Sequence, residues 1–266
     1  MNEEKRGASM IIKGIDVSQW QGNSIDFGKV KAAGYSFVII RCNNWDNCAG
    51  GVVKDSCFEE NYRKAKAAGL DVGAYYYTWQ TDADGAAYDA ELCKSYIKGK
   101  TFEFPIYYDL EWHKAFARGA SVCSSMVTAF CTAMEQAGYF AGLYISRSPL
   151  QNYITAEVAG RYALWIAEYG SKCNYGGSYG MWQYSSEGRV GGISGNVDMD
   201  ICYVDYPTII KEGGFNGFTK PKPEPKAEPK AESKAPVKGD LNGDGRVDVT
   251  DVAMLAAHVK GEKKLE

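Results

Sequence analysis

FPIYYDLEW, residues 104–112, is a short apolar run that ends in two carboxylates. Its Ile and Tyr residues favour a strand, and Pro105 suits the first position, where a missing N–H does least harm. Asp109 and Glu111 are two residues apart, so in an extended chain both side chains point to the same face. Two neighbouring acids push their pKa values apart, which leaves one protonated and one ionised near neutral pH. Such a pair suits hydrolysis of a glycosidic bond, although a solvated Asp-x-Glu loop has the same spacing.

This run lies within an alternation of short apolar runs and longer helical patterns over residues 11–210. Strands are predicted at residues 11–17, 37–41, 72–77, 104–109, 140–145, 164–167, 181–184 and 197–203, and helices at 25–33, 58–68, 83–97 and 121–137. The first five strands are joined by helices and the last three mostly by loops. Alternating strands and helices imply parallel strands, and eight of them suggest a barrel. We therefore expect an α/β fold with an irregular TIM-like (β/α)5(β)3 barrel.

Polar and aromatic residues cluster where these strands end. In such barrels the chemistry gathers at the carboxyl ends of the strands. The residues found there are Asp16, Arg41, Tyr75, Tyr77, Trp79, Asp109, Glu111, Ser146, Arg147, Glu168, Gln183 and Tyr184, with Asp198 and Asp200 in the last strand. This coincidence favours an active site over scattered solvation.

Composition excludes several classes of protein. The chain has 266 residues, 45% of them apolar, with 19 Tyr and 6 Trp, so it can form one large domain and a small appendage. A net charge of −3 without a long basic run argues against nucleic-acid binding. No apolar run approaches the roughly 18 residues of a membrane span, and residues 1–10 lack the apolar core of a signal peptide. We expect a monomer.

Eight cysteines leave the thiol chemistry open. None forms a C-x-x-C pair and the only histidines are His113 and His258, so zinc binding is not expected. An even count permits disulfides, and Cys48 and Cys57, which flank a Gly-rich loop, could pair. Buried free thiols fit the sequence equally well.

Separated motifs carry a resemblance to a known family. They are GIDVSQWQG at residues 14–22, YYDLE at 107–111, and MWQY at 181–184 followed by GNVDMD at 195–200. Over about residues 11–210 the chain resembles glycoside hydrolase family 25, the Chalaropsis-type lysozymes. The resemblance implies hydrolysis, with retention, of the β-1,4 bond between N-acetylmuramic acid and N-acetylglucosamine in bacterial peptidoglycan. It implies no cofactor for catalysis.

The resemblance also assigns four acids. Glu111 matches the general acid, which we expect in a drier place than its neighbour because a general acid needs a raised pKa. Asp109 matches the second acid, which would stay ionised and hold the substrate's acetamido group or the developing positive charge. Asp16 and Asp198 match acids on the floor of the site. The nucleophile would be the acetamido oxygen of the substrate, with Asp109 as the alternative.

Substrate contacts are predicted from residue type and position. The expected set is Tyr77, Trp79, Arg41, Trp165, Trp182, Gln183 and Asp200. Aromatic rings can stack on sugar faces, although core packing is their commoner role; Tyr77 and Trp182 are favoured as platforms. Arg41 would be a donor to the acids or part of a salt bridge inside the barrel. Family members usually carry Asn at the position of Asp200, and the bulky, basic residues 112–114 are expected to reshape the rim.

The C-terminal part of the chain has a different character. We assign residues 11–218 to a catalytic domain, 219–238 to a Pro/Lys/Glu-rich linker and 239–261 to a second module. Oxygen ligands recur at calcium-loop spacing, with Gly245 at the sharp turn: Asp240, Asn242, Asp244, Arg246 through its carbonyl, Asp248 and Asp251. The module resembles one repeat of a type I dockerin, which implies Ca²⁺ binding and a cohesin partner on a scaffold protein. An acidic, disordered tail is the alternative.

These features predict a secreted or cell-wall-associated muramidase that acts on bacterial peptidoglycan. Secretion is inferred from the substrate and the dockerin-like repeat. Two other interpretations are a non-catalytic peptidoglycan-binding module and a hydrolase of another N-acetylated glycan. The presence of all four acids argues against the binding module, whereas only reaction products separate the two hydrolases.

Overall fold

The computed structural model describes residues 11–48 and 50–221, together with positions 238, 241 and 254. The chain divides into two units, Met1–Pro221 and Lys222–Glu266. The architecture below belongs to the first unit. The predicted boundaries at residues 218 and 238 stay a prediction, and the predicted second module lies almost entirely outside the described residues.

Short strands alternate with helices along the first unit. The strands are β1 (Ile12–Val17), β2 (Phe37–Arg41), β3 (Asn43–Asp46), β4 (Gly51–Lys54), β5 (Asp71–Tyr77), β6 (Ile106–Asp109), β7 (Ala141–Ser146), β8 (Ala163–Ala167), β9 (Met181–Gly188) and β10 (Val197–Cys202). The helices are α1 (Phe27–Ala32), α2 (Phe58–Ala67), α3 (Ala83–Ile97), α4 (His113–Phe116), α5 (Ala120–Gln136), α6 (Arg147–Tyr153), α7 (Ala156–Arg161) and α8 (Tyr206–Gly213).

Eight of these strands form a closed barrel in the order β1-β10-β9-β8-β7-β6-β5-β2, and β3 and β4 form a separate hairpin. The predicted α/β class and barrel are confirmed. The expectation that all the barrel strands run parallel is wrong for β10, which is antiparallel to both β9 and β1. A short loop joins β9 to β10, and without a crossover helix the chain can only turn back on itself.

Large side chains fill the lower part of the barrel. Phe37 begins β2 and Phe104 precedes β6, and their rings stack with centroids 4.3 Å apart at the amino ends of the strands. Gly14 makes room for this pair, because a Cβ there would lie 2.2 Å from the Phe37 ring. The successive residues Tyr107 and Tyr108 pack on opposite sides of β6, in the inner and outer clusters. The stacked rings therefore close the interior of the barrel at the amino ends of its strands.

Local details differ from the sequence prediction in several places. Most predicted boundaries lie within one or two residues of those observed, but the β3–β4 hairpin and the helices α4, α6, α7 and α8 were not predicted. The helix-ending role of Gly69 and Gly138 is confirmed by their positive φ angles of 74° and 84°. All eight cysteines are free, so the suggested Cys48–Cys57 disulfide is not present.

Residues after β10 are part of the barrel's base. Asn216 is fully buried, and its side-chain amide donates to the carbonyls of Phe102 and Phe104 at 3.2 and 2.8 Å. Its side-chain oxygen accepts from the backbone N–H of Phe140 at 2.7 Å. These bonds join the segment after α8 to the starts of β6 and β7.

A buried carboxyl on α3 holds the end of β5. Asp89 accepts hydrogen bonds from the Tyr76 hydroxyl at 3.0 Å, the Thr78 hydroxyl at 2.6 Å and the Gln80 amide at 3.4 Å. Burial raises the pKa of Asp89 to about 6, and these donors oppose the increase. The network fixes the strand end from which Tyr77 and Trp79 project.

Asp89→Ala is expected to lower the free energy of unfolding by roughly 2–4 kcal/mol, because it leaves buried hydroxyls without an acceptor. Chemical denaturation measures this loss. Asp84→Ala, at an exposed position of the same helix, is the control and should change the free energy by less than about 0.5 kcal/mol. An equal loss in both variants would mean that the network does not stabilise the fold.

Candidate active site

A cavity of about 150 Å³ opens at the carboxyl ends of the barrel strands. Its lining is acidic and aromatic: Asp16, Tyr75, Asp109, Glu111, Tyr144, Trp165, Tyr169, Gln183 and Asp198. The four acids predicted as catalytic thus meet in one cavity, although they come from three separate strand ends.

Asp109 and Glu111 occupy different depths. Asp109 ends β6, is only 3% exposed and pairs in register with Tyr77 of β5 and Tyr144 of β7. Glu111 lies beyond the strand and is exposed at the mouth. The expectation that Glu111 is the drier acid is therefore wrong, because β6 ends at Asp109, two residues before Glu111.

Burial dominates the electrostatics of this pair. It raises the pKa of Asp109 well above its usual value, the Glu111 charge adds to the increase, and Arg41 opposes it. The pKa of Glu111 is raised as well, first because the surrounding protein removes part of its water; Arg41 opposes this increase and Asp198 adds to it. Asp109 Oδ1 is buried and has no hydrogen-bond partner among the described residues. This oxygen is free to accept a hydrogen bond from a ligand.

The other acids come from the seam between β1 and β10. Asp16 and Asp198 are direct partners in the antiparallel register. Burial raises the pKa of Asp16 well above its usual value, and the charges of Asp198 and Asp200 add to the increase. Burial raises the pKa of Asp198 to about 6. The seam therefore holds acids that take up protons more readily than exposed carboxyls.

Gln183 connects the two sides of the cavity. Its amide Nε2 donates to Asp16 Oδ2 at 2.7 Å. Its Oε1 accepts from the Tyr144 hydroxyl at 2.8 Å and from the Tyr169 hydroxyl at 3.3 Å. Gln183 is almost fully buried, so these bonds fix the orientation of both its amide and the Asp16 carboxyl.

Arg41 packs on aromatic rings at one side of the cavity. Its guanidinium lies 4.9 Å from the Tyr77 ring centroid and 5.4 Å from that of Trp79, and the two rings are 4.7 Å apart. No carboxylate of the described residues forms a salt bridge with Arg41. Arg41 therefore acts on Asp109 and Glu111 through its field rather than through a direct ion pair.

Of the seven predicted substrate contacts, Trp165 and Gln183 line this cavity, whereas Arg41, Tyr77 and Trp79 are not among its lining residues. Trp182 and Asp200 are placed elsewhere. Trp182 is 6% exposed, packs in the cluster outside the barrel and donates from Nε1 to the Glu168 carbonyl at 2.8 Å, so it does not line the cavity. Asp200 is completely buried and accepts a hydrogen bond from Trp165 Nε1 at 2.9 Å. Its position beneath the floor excludes contact with a ligand, whereas Trp165 itself is part of the lining.

Tyr144 and Tyr169 are lining residues that were missed. Tyr144 lies inside the apolar run of β7, and only its alternate position relative to Leu143 and Ile145 could have revealed that it faces inward. Tyr169 follows Glu168 in a loop and is 59% exposed, as an ordinary surface tyrosine would be. Sequence pattern gave no signal for it.

The described residues contain no group of three or more His, Cys, Asp or Glu side chains arranged to hold a metal ion. The six predicted calcium ligands, Asp240, Asn242, Asp244, Arg246, Asp248 and Asp251, lie outside the described residues. Within the described part of the chain, none of the helices has the length and apolar character needed to cross a membrane.

A sequence model described as Glycosyl hydrolases family 25 matches residues 15–193. The chain belongs to this family. The family 25 match includes the acids of β1 and β6 and Gln183, and it ends just before β10, which carries Asp198.

Relatives of this family 25 chain bear out the assignment. It is 33% identical over 190 residues to the Autolytic lysozyme of Clostridium acetobutylicum, covering 71% of this chain and 55% of that protein. It is 31% identical over 207 residues to Lysozyme M1 of Streptomyces globisporus, covering 70% of this chain and 66% of that protein. The chain thus spans between about half and two thirds of the length of these relatives.

Solved structures of similar fold include the modular autolysin LytC from Streptococcus pneumoniae in complex with a synthetic peptidoglycan ligand. Its TM-score is 0.66 at 26% sequence identity, covering 76% of this chain and 48% of that chain. The CTP1L endolysin has a TM-score of 0.63 at 25% identity, covering 75% of this chain and 69% of that chain.

Proposed function

We propose that this family 25 chain is a peptidoglycan hydrolase, an N-acetylmuramidase that cleaves the β-1,4 bond between N-acetylmuramic acid and N-acetylglucosamine. The observation that carries the proposal is the convergence of Asp16, Asp109, Glu111 and Asp198 in one cavity of a glycosyl hydrolase barrel. Two relatives named as lysozymes support the choice of substrate.

Glu111 is the proposed general acid. Its raised pKa favours the protonated carboxyl that a general acid needs, and its place at the mouth puts this carboxyl where a glycan strand would lie. Bound sugar would remove more water from the carboxyl and raise its pKa further. Glu111 then gives its proton to the glycosidic oxygen as the bond to the anomeric carbon breaks.

Asp109 is proposed to hold the substrate's acetamido group. Its unpartnered Oδ1 can accept a hydrogen bond from the acetamido N–H, which turns the acetamido oxygen toward the anomeric carbon. That oxygen attacks the anomeric carbon and forms a five-membered oxazolinium ring. A water then loses a proton to the Glu111 carboxylate and attacks the same carbon, which opens the oxazolinium ring. Two displacements give retention, the outcome expected of substrate-assisted schemes.

Asp16 and Asp198 are proposed to support the two displacements from the floor of the cavity. The amide of Gln183 donates to Asp16 at 2.7 Å, so the position of the Asp16 carboxyl is fixed relative to the cavity. Two acids facing the anomeric carbon would stabilise the positive charge that develops there.

Product analysis tests the proposed function. Purified peptidoglycan is digested with the chain and the new reducing ends are identified. Ends on N-acetylmuramic acid are expected, with the β-anomer formed first when the reaction is followed by NMR. Binding without cleavage would identify a non-catalytic binding module, and cleavage of chitin oligomers alone would identify a hydrolase of another N-acetylated glycan.

Asp198→Asn is expected to move the alkaline limb of the pH profile of kcat/KM to lower pH. The negative charge of Asp198 raises the pKa of Glu111, so removing it lets Glu111 lose its proton at lower pH. Glu157→Gln, at an exposed position of α7, is the control and should leave the limb unchanged. An alkaline limb that stays in place in Asp198→Asn would mean that these two acids are not coupled.

The finer architecture belongs to the same proposal. We infer a (β/α)5(β)3 barrel, because helices follow the first five barrel strands and loops join the last three.

For residues 239–261 the calcium-loop spacing supports Ca²⁺ binding and a cohesin partner. The activity and the family support an extracellular or wall-associated location. Calcium titration by calorimetry tests the loop, with Asp244→Ala expected to abolish the binding heat.

A further inference from the structure

A second, larger cavity lies beside the acidic one. It has a volume of about 590 Å³ and is lined by Trp45, Trp79, Gln80, Thr81, Trp112 and Lys114; we call it the tryptophan cavity. Its volume falls in the range typical of small-molecule sites. Three indole rings around one space are more than packing of the barrel requires, since the β3–β4 hairpin that carries Trp45 lies outside the barrel.

Ring contacts and adjacency in the chain connect the tryptophan cavity to the proposed catalytic acids. Tyr77 pairs with Asp109 in register, its ring is 4.7 Å from that of Trp79, and Trp79 is 5.5 Å from Trp45. On the other side Trp112 directly follows Glu111. A glycan strand cleaved beside Glu111 would therefore extend along aromatic faces, on which sugar rings stack.

Lys114 gives this cavity its charge. The side chain is exposed, and Nζ lies 5.2 Å from the Trp112 ring centroid. No salt bridge joins Lys114 to a carboxylate of the described residues. Its ammonium group is thus available to a ligand, held over an indole face.

We propose that the tryptophan cavity is a saccharide subsite for peptide-free N-acetylmuramic acid, in which Lys114 binds the lactyl carboxylate that is free where no stem peptide is attached. This rests on the proposed function and deepens it. N-acetylglucosamine has the same ring and acetamido group but carries no carboxylate. Stacking on Trp45, Trp79 and Trp112 would accept either sugar, and Lys114 would select the acidic one.

Calorimetry with the full chain tests the subsite without turnover. The Glu111→Gln background is titrated with a peptide-free N-acetylglucosamine–N-acetylmuramic acid tetrasaccharide and with chitotetraose. We expect the muramic ligand to bind more tightly, and Lys114→Met to reduce this preference by about fivefold, the upper value for an exposed ion pair. Lys114→Arg should retain the preference, and Lys98→Met, at an exposed position after α3, should not change it.

Trp45→Ala separates stacking from charge. It is expected to weaken the binding of both tetrasaccharides by about three- to tenfold. Tyr88→Ala, at an exposed aromatic residue of α3, should change the affinity for neither. Equal affinity for the two ligands, or equal weakening of both by Lys114→Met, would overturn the subsite. A Lys114-dependent preference seen only with peptide-bearing strands would overturn the lactyl assignment.

Failure of the proposed function gives a different result. If the chain does not cleave peptidoglycan but keeps the Lys114-dependent preference, the proposed subsite stands and the proposed muramidase activity is wrong. If the chain cleaves peptidoglycan without that preference, only the proposed subsite is wrong.

Discussion

Glu111→Gln is expected to slow hydrolysis of purified peptidoglycan by about 10²–10⁴-fold, the usual contribution of a positioned general acid. The glutamine amide has nearly the shape of the carboxyl but cannot give a proton to the glycosidic oxygen. Loss of turbidity and release of new reducing ends measure the rate. Binding to the wall should persist, because the exposed Glu111 side chain forms no salt bridge with the described residues.

Glu157→Gln is the matched control, since it makes the same chemical change at an exposed position of α7 and should leave the rate unchanged. Equal rates in wild type and Glu111→Gln would show that another group donates the proton. Asp109 would then be the first residue to test, because its pKa is raised as well.

Asp109→Asn is expected to have opposite effects on activity and stability. The rate should fall by about 10²–10³-fold, a size typical of losing one preorganised electrostatic contact. The free energy of unfolding should rise, because a buried carboxyl beside Glu111 is replaced by a neutral amide. Each kcal/mol gained corresponds to a melting temperature about 2–4 °C higher for a domain of this size.

Differential scanning calorimetry and the reducing-end assay, run on the same preparation, measure both effects. Asp84→Asn, at an exposed position of α3, should alter neither. A variant that loses activity and also melts at a lower temperature would indicate that Asp109 supports the fold, and its assignment to the acetamido group would lose its basis.

Three of the four acids could be placed from the sequence by local rules. Two-residue spacing put Asp109 and Glu111 at one strand end, Asp16 ends the first apolar run, and parallel strands bring their carboxyl ends together wherever they lie in the chain. Asp198 followed from the family resemblance alone, because it lies near the amino end of β10. Only the antiparallel direction of β10 brings Asp198 to the same cavity.

The error at Trp182 has a simple physical origin. Neighbouring residues of a strand face opposite sides, so Trp182 and Gln183 could not both line the cavity. Gln183 faces inward and bonds to Asp16, which sends Trp182 outward. The alternation was visible in the sequence and would have excluded one of the two.

Other features depend on contacts that no sequence pattern records. The depth difference between Asp109 and Glu111 depends on where β6 ends, which is set by its pairing with β5 and β7. The approach of Trp45 to Trp79 depends on a hairpin whose strands pair only with each other. Both arise from tertiary packing rather than from local preference.

The antiparallel β10 has a consequence for the newly made chain. Domains are completed from the amino terminus as the ribosome adds residues, so Asp16 is synthesised early and waits for its register partner Asp198. Until β10 has left the ribosome and inserted between β1 and β9, the barrel is open and the seam lacks one of its acids. The proposed active site is therefore complete only after nearly all of the first unit has been translated.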